Sequence, residues 1–79
     1  MTIEEGFNQA LSAHLRAEVA RSGIPKGELA KAAGISDRTL ARYLNANQTM
    51  SITTLRDICK VLGISAGDFL DAVEDSLGD

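Results

Sequence analysis

The sequence holds one cysteine, one proline, one histidine and three aromatic side chains in 79 residues, and each scarcity excludes something. Cys59 has no partner for an internal disulfide. Beside Ile58 and Leu62 on the apolar side of an expected helix, it reads as core packing rather than a reactive thiol. His14, with no cysteine near it, gives no metal site and reads as a half-buried packing residue beside Leu11 and Leu15. Few aromatics, seven glycines and no alternating apolar pattern leave no strand to assign. No run approaches the ~18 apolar residues of a membrane span, and no basic stretch with an apolar follower opens the chain, so a cytoplasmic location is expected. Nucleophile, base and orienting acid do not occur as a set, and no glycine-rich phosphate loop is present. Neither an enzyme nor a cofactor is expected. Asp68, Asp71 and Asp75 share one side of the last helix. Carboxylates so spaced can take a cation, and a solvated face opposite Phe69, Val73 and Leu77 accounts for them equally well.

The net charge of −3 hides a segregation. Between Gly6 and Gly67 all eight Lys and Arg face four acids, Glu18, Glu28, Asp37 and Asp57, a local balance of +4, while the other seven acids lie at the two ends. A basic middle permits an anionic partner on one surface, and the low total charge predicts modest non-specific affinity for nucleic acid.

What remains is helix punctuation, and the expected fold is all-α, one five-helix domain over residues 1–79. A chain this short leaves roughly 40 % of its unfolded-state surface exposed, so its core is small. Thr2-x-x-Glu5 opens a helix whose Phe7, Leu11, Leu15 and Val19 recur at four-residue steps until about Gly23. Pro25 suits a first helical position, and Lys26 to Ala33 follow, closed by Gly34. Ser36 to about Asn45 forms the third helix, and the polar stretch from Asn45 to Thr49 forms a loop. Ser51 caps a fourth helix with Ile52, Leu55, Ile58, Cys59 and Leu62 on its buried face, stopped by Gly63. Ser65-x-x-Asp68 begins a fifth, about residues 66–77, through Phe69, Leu70, Val73 and Leu77.

The segment from Lys26 to Leu44 has the form of a helix-turn-helix. Leu29, Ala30 and Ala33 lie on one side of its first helix, and Leu40, Leu44 and most of Tyr43 are buried by its second. Gly34 sits where the chain must turn, a position that tolerates positive φ without a Cβ, and Ile35 plugs the angle between the helices. Ser36 caps the second helix, which sends Asp37, Arg38 and Arg42 away from the packed side.

This arrangement resembles the lambda Cro/CI-repressor-like family of helix-turn-helix domains, also called the xenobiotic-response-element type. The likeness rests on Leu29-Ala30 followed three residues later by Gly34-Ile35-Ser36. Ser51, Leu55 and Leu62-Gly63-Ile64-Ser65 continue it where the family carries its fourth helix and following turn. The resemblance implies that the helix from Ser36 enters a major groove, with Asp37, Arg38 and, one turn later, Arg42 at base edges and Gln48 reaching from the loop. Arg38 suits guanine, whose O6 and N7 accept both arms of its fork. Asp37 suits cytosine N4, or serves the dipole of its own helix and holds Arg38 or Lys26. Lys26, Ser36, Thr39, Asn45 and Asn47 are the implied phosphate or positioning residues, with capping the blander role of Ser36 and Thr39. Three positions depart from the family's pattern. Ala46 stands for the glycine after the recognition helix, Met50 for the proline before the fourth helix, and Val19 for an arginine near the end of the first, with Arg16 or Arg21 as substitutes.

The function expected is a sequence-specific DNA-binding transcriptional regulator, bacterial or phage-borne, that represses by occupying an operator. Two recognition helices about 34 Å apart in a homodimer would read a roughly palindromic site in double-stranded DNA. No separate dimerisation or ligand domain is expected, so Phe69, Leu70, Val73 and Leu77 are the candidates for a two-fold interface, or else all are core. Two alternatives share the fold. One is the antitoxin of a toxin–antitoxin pair, and the other is an interaction module that has lost DNA binding and docks a basic protein on the acidic fifth helix.

Overall fold

A computed structural model describes residues 2–78. Among them are five helices and no strand: α1 (Ile3–Ser22), α2 (Lys26–Ala33), α3 (Asp37–Leu44), α4 (Ile52–Leu62) and α5 (Ala66–Leu77). None is long and apolar enough to cross a membrane.

Four of the five begin on a hydroxyl. The side chains of Thr2, Ser36, Ser51 and Ser65 accept from the amides of Glu5, Thr39, Thr54 and Asp68 at 3.0–3.2 Å, each satisfying a donor that the first turn cannot use itself. The exception is α2. Pro25 occupies its N-cap position, one residue before the first helical position expected for it, and no side chain caps the exposed amides that follow.

The helix ends are as regular. After α2 the Gly34 amide donates to the carbonyl of Lys31 and that of Ile35 to Ala30; after α4 Gly63 and Ile64 repeat this with Lys60 and Cys59. This is the Schellman pattern, and it requires a left-handed residue, supplied by Gly34 at φ 75° and Gly63 at φ 74°. After α3 the same two bonds form from Ala46 to Tyr43 and from Asn47 to Arg42. The left-handed residue there is Ala46, at φ 59°, the one non-glycine with positive φ among the described residues.

Every helix supplies the core: Leu11, Leu15 and Val19 from α1, Leu29 and Ala30 from α2, Leu40, Tyr43 and Leu44 from α3, Leu55, Ile58 and Cys59 from α4, Phe69 and Val73 from α5. Two expectations are corrected here. Ile52, assigned to the buried face of α4, is 59 % exposed, because the first residue of that helix extends past its neighbours. Phe69 (6 % exposed) and Val73 (0 %) are interior, held by the packing of α5 on α1 and α4. They are not available to an interface, which leaves half-buried Leu70 and Leu77, 46 % exposed, on that helix. His14 is half-buried with its ring edge-on to Phe69, centroids 6.4 Å apart. The Cys59 thiol is pushed above its ordinary pKa, first by burial and then by the negative charge of Glu18.

Candidate nucleic-acid interface

Two turns of helix make up α3, and its surface divides sharply. Leu40, Tyr43 and Leu44 are buried, while Asp37, Arg38, Ala41 and Arg42 form an exposed stripe. That division follows from the sequence: three large side chains at i, i+3 and i+4 define one face and send the charged residues to the other. The Ser36 hydroxyl accepts from the Thr39 amide at 3.0 Å and donates to Thr39 Oγ1 at 2.9 Å. Ser36 thus serves as the cap of α3. Thr39, half-buried, is the partner of that bond.

The cations of this face are unpaired. Among the described residues there is one salt bridge, Arg21 Nη1 to Glu18 Oε1 at 2.6 Å on α1, so Lys26, Arg38 and Arg42 have no carboxylate within 4.0 Å. Arg21, one of the two candidates to replace the family's arginine, forms that bridge with its side chain 73 % exposed. A Cβ built on Gly27 would lie 3.9 Å from Asp37 Oδ1. The Asp37 carboxylate therefore stands beside the first turn of α2, where negative charge favours the uncapped amide end.

Beyond α3, Asn45 is the helix C-cap, and Asn45, Asn47 and Gln48 are exposed. The loop that carries them is anchored at both ends. Asn47 is fixed through its amide to the Arg42 carbonyl at 2.9 Å, and Thr49 receives a hydrogen bond from Asn8 Nδ2 at 3.1 Å across the loop's far side. Ala46 thus adopts the conformation that a glycine would take, despite its side chain, and the loop closes.

Two residues of α1 bear on this surface: Arg16, expected only as a substitute for the family's arginine, and Ser12, which was assigned no role in it from the sequence. Ser12 Oγ donates to the Tyr43 carbonyl at 2.6 Å in the interior, and Arg16 Nη1 donates to the Leu44 carbonyl. Both acceptors belong to the last turn of α3, whose carbonyls have no partner within the helix. Ser12 did carry a signal: it is a polar residue three and seven positions before Leu15 and Val19, on the apolar stripe itself. Arg16 and Lys26 also line one cleft of about 380 Å³ with Val19, Ile24 and Leu44.

The comparisons agree with this geometry. The family model of the Cro/C1-type HTH DNA-binding domain matches residues 14–75. Two crystal structures of the clp gene regulator ClgR from Corynebacterium glutamicum superpose closely. One is 30 % identical, with a TM-score of 0.84 over 91 % of this chain and 77 % of that one. The other is 31 % identical, with a TM-score of 0.81 over 89 % of this chain and 91 % of that one. Curated protein sequences give no match. With a helix-turn-helix in α2 and α3, an outward face of arginines that are unpaired among the described residues, and a family match across most of its length, the chain belongs to the Cro/C1-type helix-turn-helix DNA-binding domains.

Proposed function

We propose that this protein is a cytoplasmic transcriptional regulator that binds operator DNA as a homodimer and represses by occupancy. The observation that carries the reading is the exposed α3 stripe, where Arg38 and Arg42 stand one turn apart without ionic partners on a helix whose other face is buried. A B-form major groove accepts one such helix, and an unpaired guanidinium enters it without first breaking an ion pair. In this reading Arg38 takes guanine O6 and N7, Arg42 and Asp37 meet neighbouring base edges, and Gln48 reaches a base from the loop. Lys26, Thr39, Asn45 and Asn47 hold phosphates and set the register. The likeness to a gene regulator supports the regulatory role.

Pairing of two copies is supported by the apolar residues left uncovered where α1 begins and α5 ends. Ile3 is 94 % and Leu77 46 % exposed, with half-buried Phe7 between the helices. Glu4 and Glu74 line the same cleft, so two copies of this surface repel in free solution and pair when DNA holds them side by side. Sedimentation expected from this arrangement gives a monomer without DNA and two copies per palindromic duplex. One copy per duplex would refute the homodimer. The four exposed acids of α5, with no basic residue on that helix, also favour a basic protein partner there, and an antitoxin role is that case with a toxin as the partner.

Selection of bound duplexes from a random pool tests the main reading, with enriched half-sites in inverted repeat as the expected outcome. Arg38→Ala should lose about 1–3 kcal/mol of discrimination at one position per half-site. Lys26→Ala should weaken binding to all sequences and reduce the salt slope by about one. If Arg38→Ala kept full affinity and selectivity, α3 would not be the reading element.

A further inference from the structure

We infer that Ser12 is a positioning residue for base recognition, acting with Arg16 to fix the orientation of α3 from behind; this rests on the reading of α3 as the element in the groove. Among the described residues, Ser12 to Tyr43 and Arg16 to Leu44 are the only side-chain hydrogen bonds joining α3 to another helix. The buried side chains of α3 otherwise meet their neighbours in the apolar core, through Leu40, Leu44 and the Tyr43 ring. Apolar contact is non-directional, whereas a hydrogen bond falls off steeply with distance and angle. Two such bonds from one face of α1, four residues apart, to successive carbonyls fix both the axial position and the roll of α3.

The chemistry of each bond suits that role. Ser12 is buried, 3 % exposed, and its 2.6 Å bond is completed inside the core, where leaving the carbonyl unpartnered is costly. The Tyr43 carbonyl accepts both Ser12 and the amide of Ala46, so the same oxygen ties the end of α3 to α1 and to the loop that carries Asn47 and Gln48. Arg16 adds a positive charge at the negative end of the α3 dipole. The opposite end, from Ser36 to Arg38, is the one that faces outward. Ser12 itself, being buried, touches no DNA.

The experiment compares wild type, Ser12→Ala and Ser12→Cys, the last close to serine in size with a weak donor, at a temperature where circular dichroism finds all three fully folded. Affinity for the selected site is measured against single-base variants of that site and over a salt series. Both substitutions are expected to cut discrimination at the bases facing α3 about tenfold, within the range one base contact commands. The salt slope, which counts phosphate contacts, stays unchanged. Arg16→Lys keeps a charged donor and should retain most of the discrimination that Arg16→Gln loses. Folded Ser12→Ala and Ser12→Cys proteins with wild-type discrimination overturn the positioning role alone. A wild type that enriches no sequence overturns the reading of α3, and the positioning role with it.

Discussion

Replacing Ala46 with glycine should make this protein more stable, although the substitution removes a side chain from a helix terminus. The last turn of α3 closes with the same pair of backbone bonds as those of α2 and α4, but where Gly34 and Gly63 take the left-handed conformation, Ala46 is held in it at φ 59°. A left-handed L-residue costs about 1–2 kcal/mol. Against that relief stand the extra freedom glycine gives the unfolded chain, about 0.4–1 kcal/mol, and part of one methyl's burial, about 0.4 kcal/mol for a half-buried group. The net gain for Ala46→Gly is about 0.5 kcal/mol, which in a domain of this size raises Tm by about 2–4 °C. Gly63→Ala supplies the reverse case. A Cβ there meets nothing within 4 Å, so its cost is purely conformational, about 0.5–1 kcal/mol after the unfolded-chain offset. Reversible thermal unfolding followed at 222 nm reads both. The reasoning fails if the two substitutions shift Tm in the same direction, or if Ala46→Gly lowers it.

Further outcomes concern the interior. Phe69→Ala should destabilise by about 3–5 kcal/mol, equally at low and high protein concentration because the side chain is core; a loss that grows as concentration rises would place Phe69 at an interface instead. The native thiol of Cys59 should react slowly with a disulfide reagent and at the bulk rate once unfolded. Its pKa is raised on folding, so its contribution to stability is present below the unfolded value, near 8.5, and is lost as pH climbs from there through the native value. Wild-type Tm should accordingly fall more steeply than that of Cys59→Ala between about pH 8 and 10, and parallel curves would count against the burial argument.

Helix positions, caps and most of the core were legible in the sequence because those rules act within a few residues. Ser36, Ser51 and Ser65 open helices, Gly34 and Gly63 close them, and Leu15 and Leu29 lie on stripes of the right period. Ile52 obeyed its stripe yet stands exposed, since period alone does not tell how far a neighbouring element reaches. The bonds from Ser12 and Arg16 to α3 span 31 and 28 residues, and no local rule pairs a side chain with a carbonyl so distant. The polar residue on an apolar stripe was the visible trace. Ala46 was visible as a departure from a family's glycine, but that it keeps the glycine's conformation emerged only from the backbone. For the site, the outward stripe of α3 was readable from its inward one, whereas the proximity of Asp37 to Gly27 depends on the angle between two helices.

All five helices feed one shared interior, with no second cluster among the described residues. In a domain of this size unfolding is ordinarily two-state, so lost core packing in any helix lowers the stability of α3 with the rest. A substitution deep in α5 and a substitution in the exposed stripe of α3 would then produce the same phenotype in a cell, loss of regulation, by unrelated routes. Genetic screens on this protein will recover both kinds together, and only the melting temperature of each recovered variant separates a blind reader from an absent one.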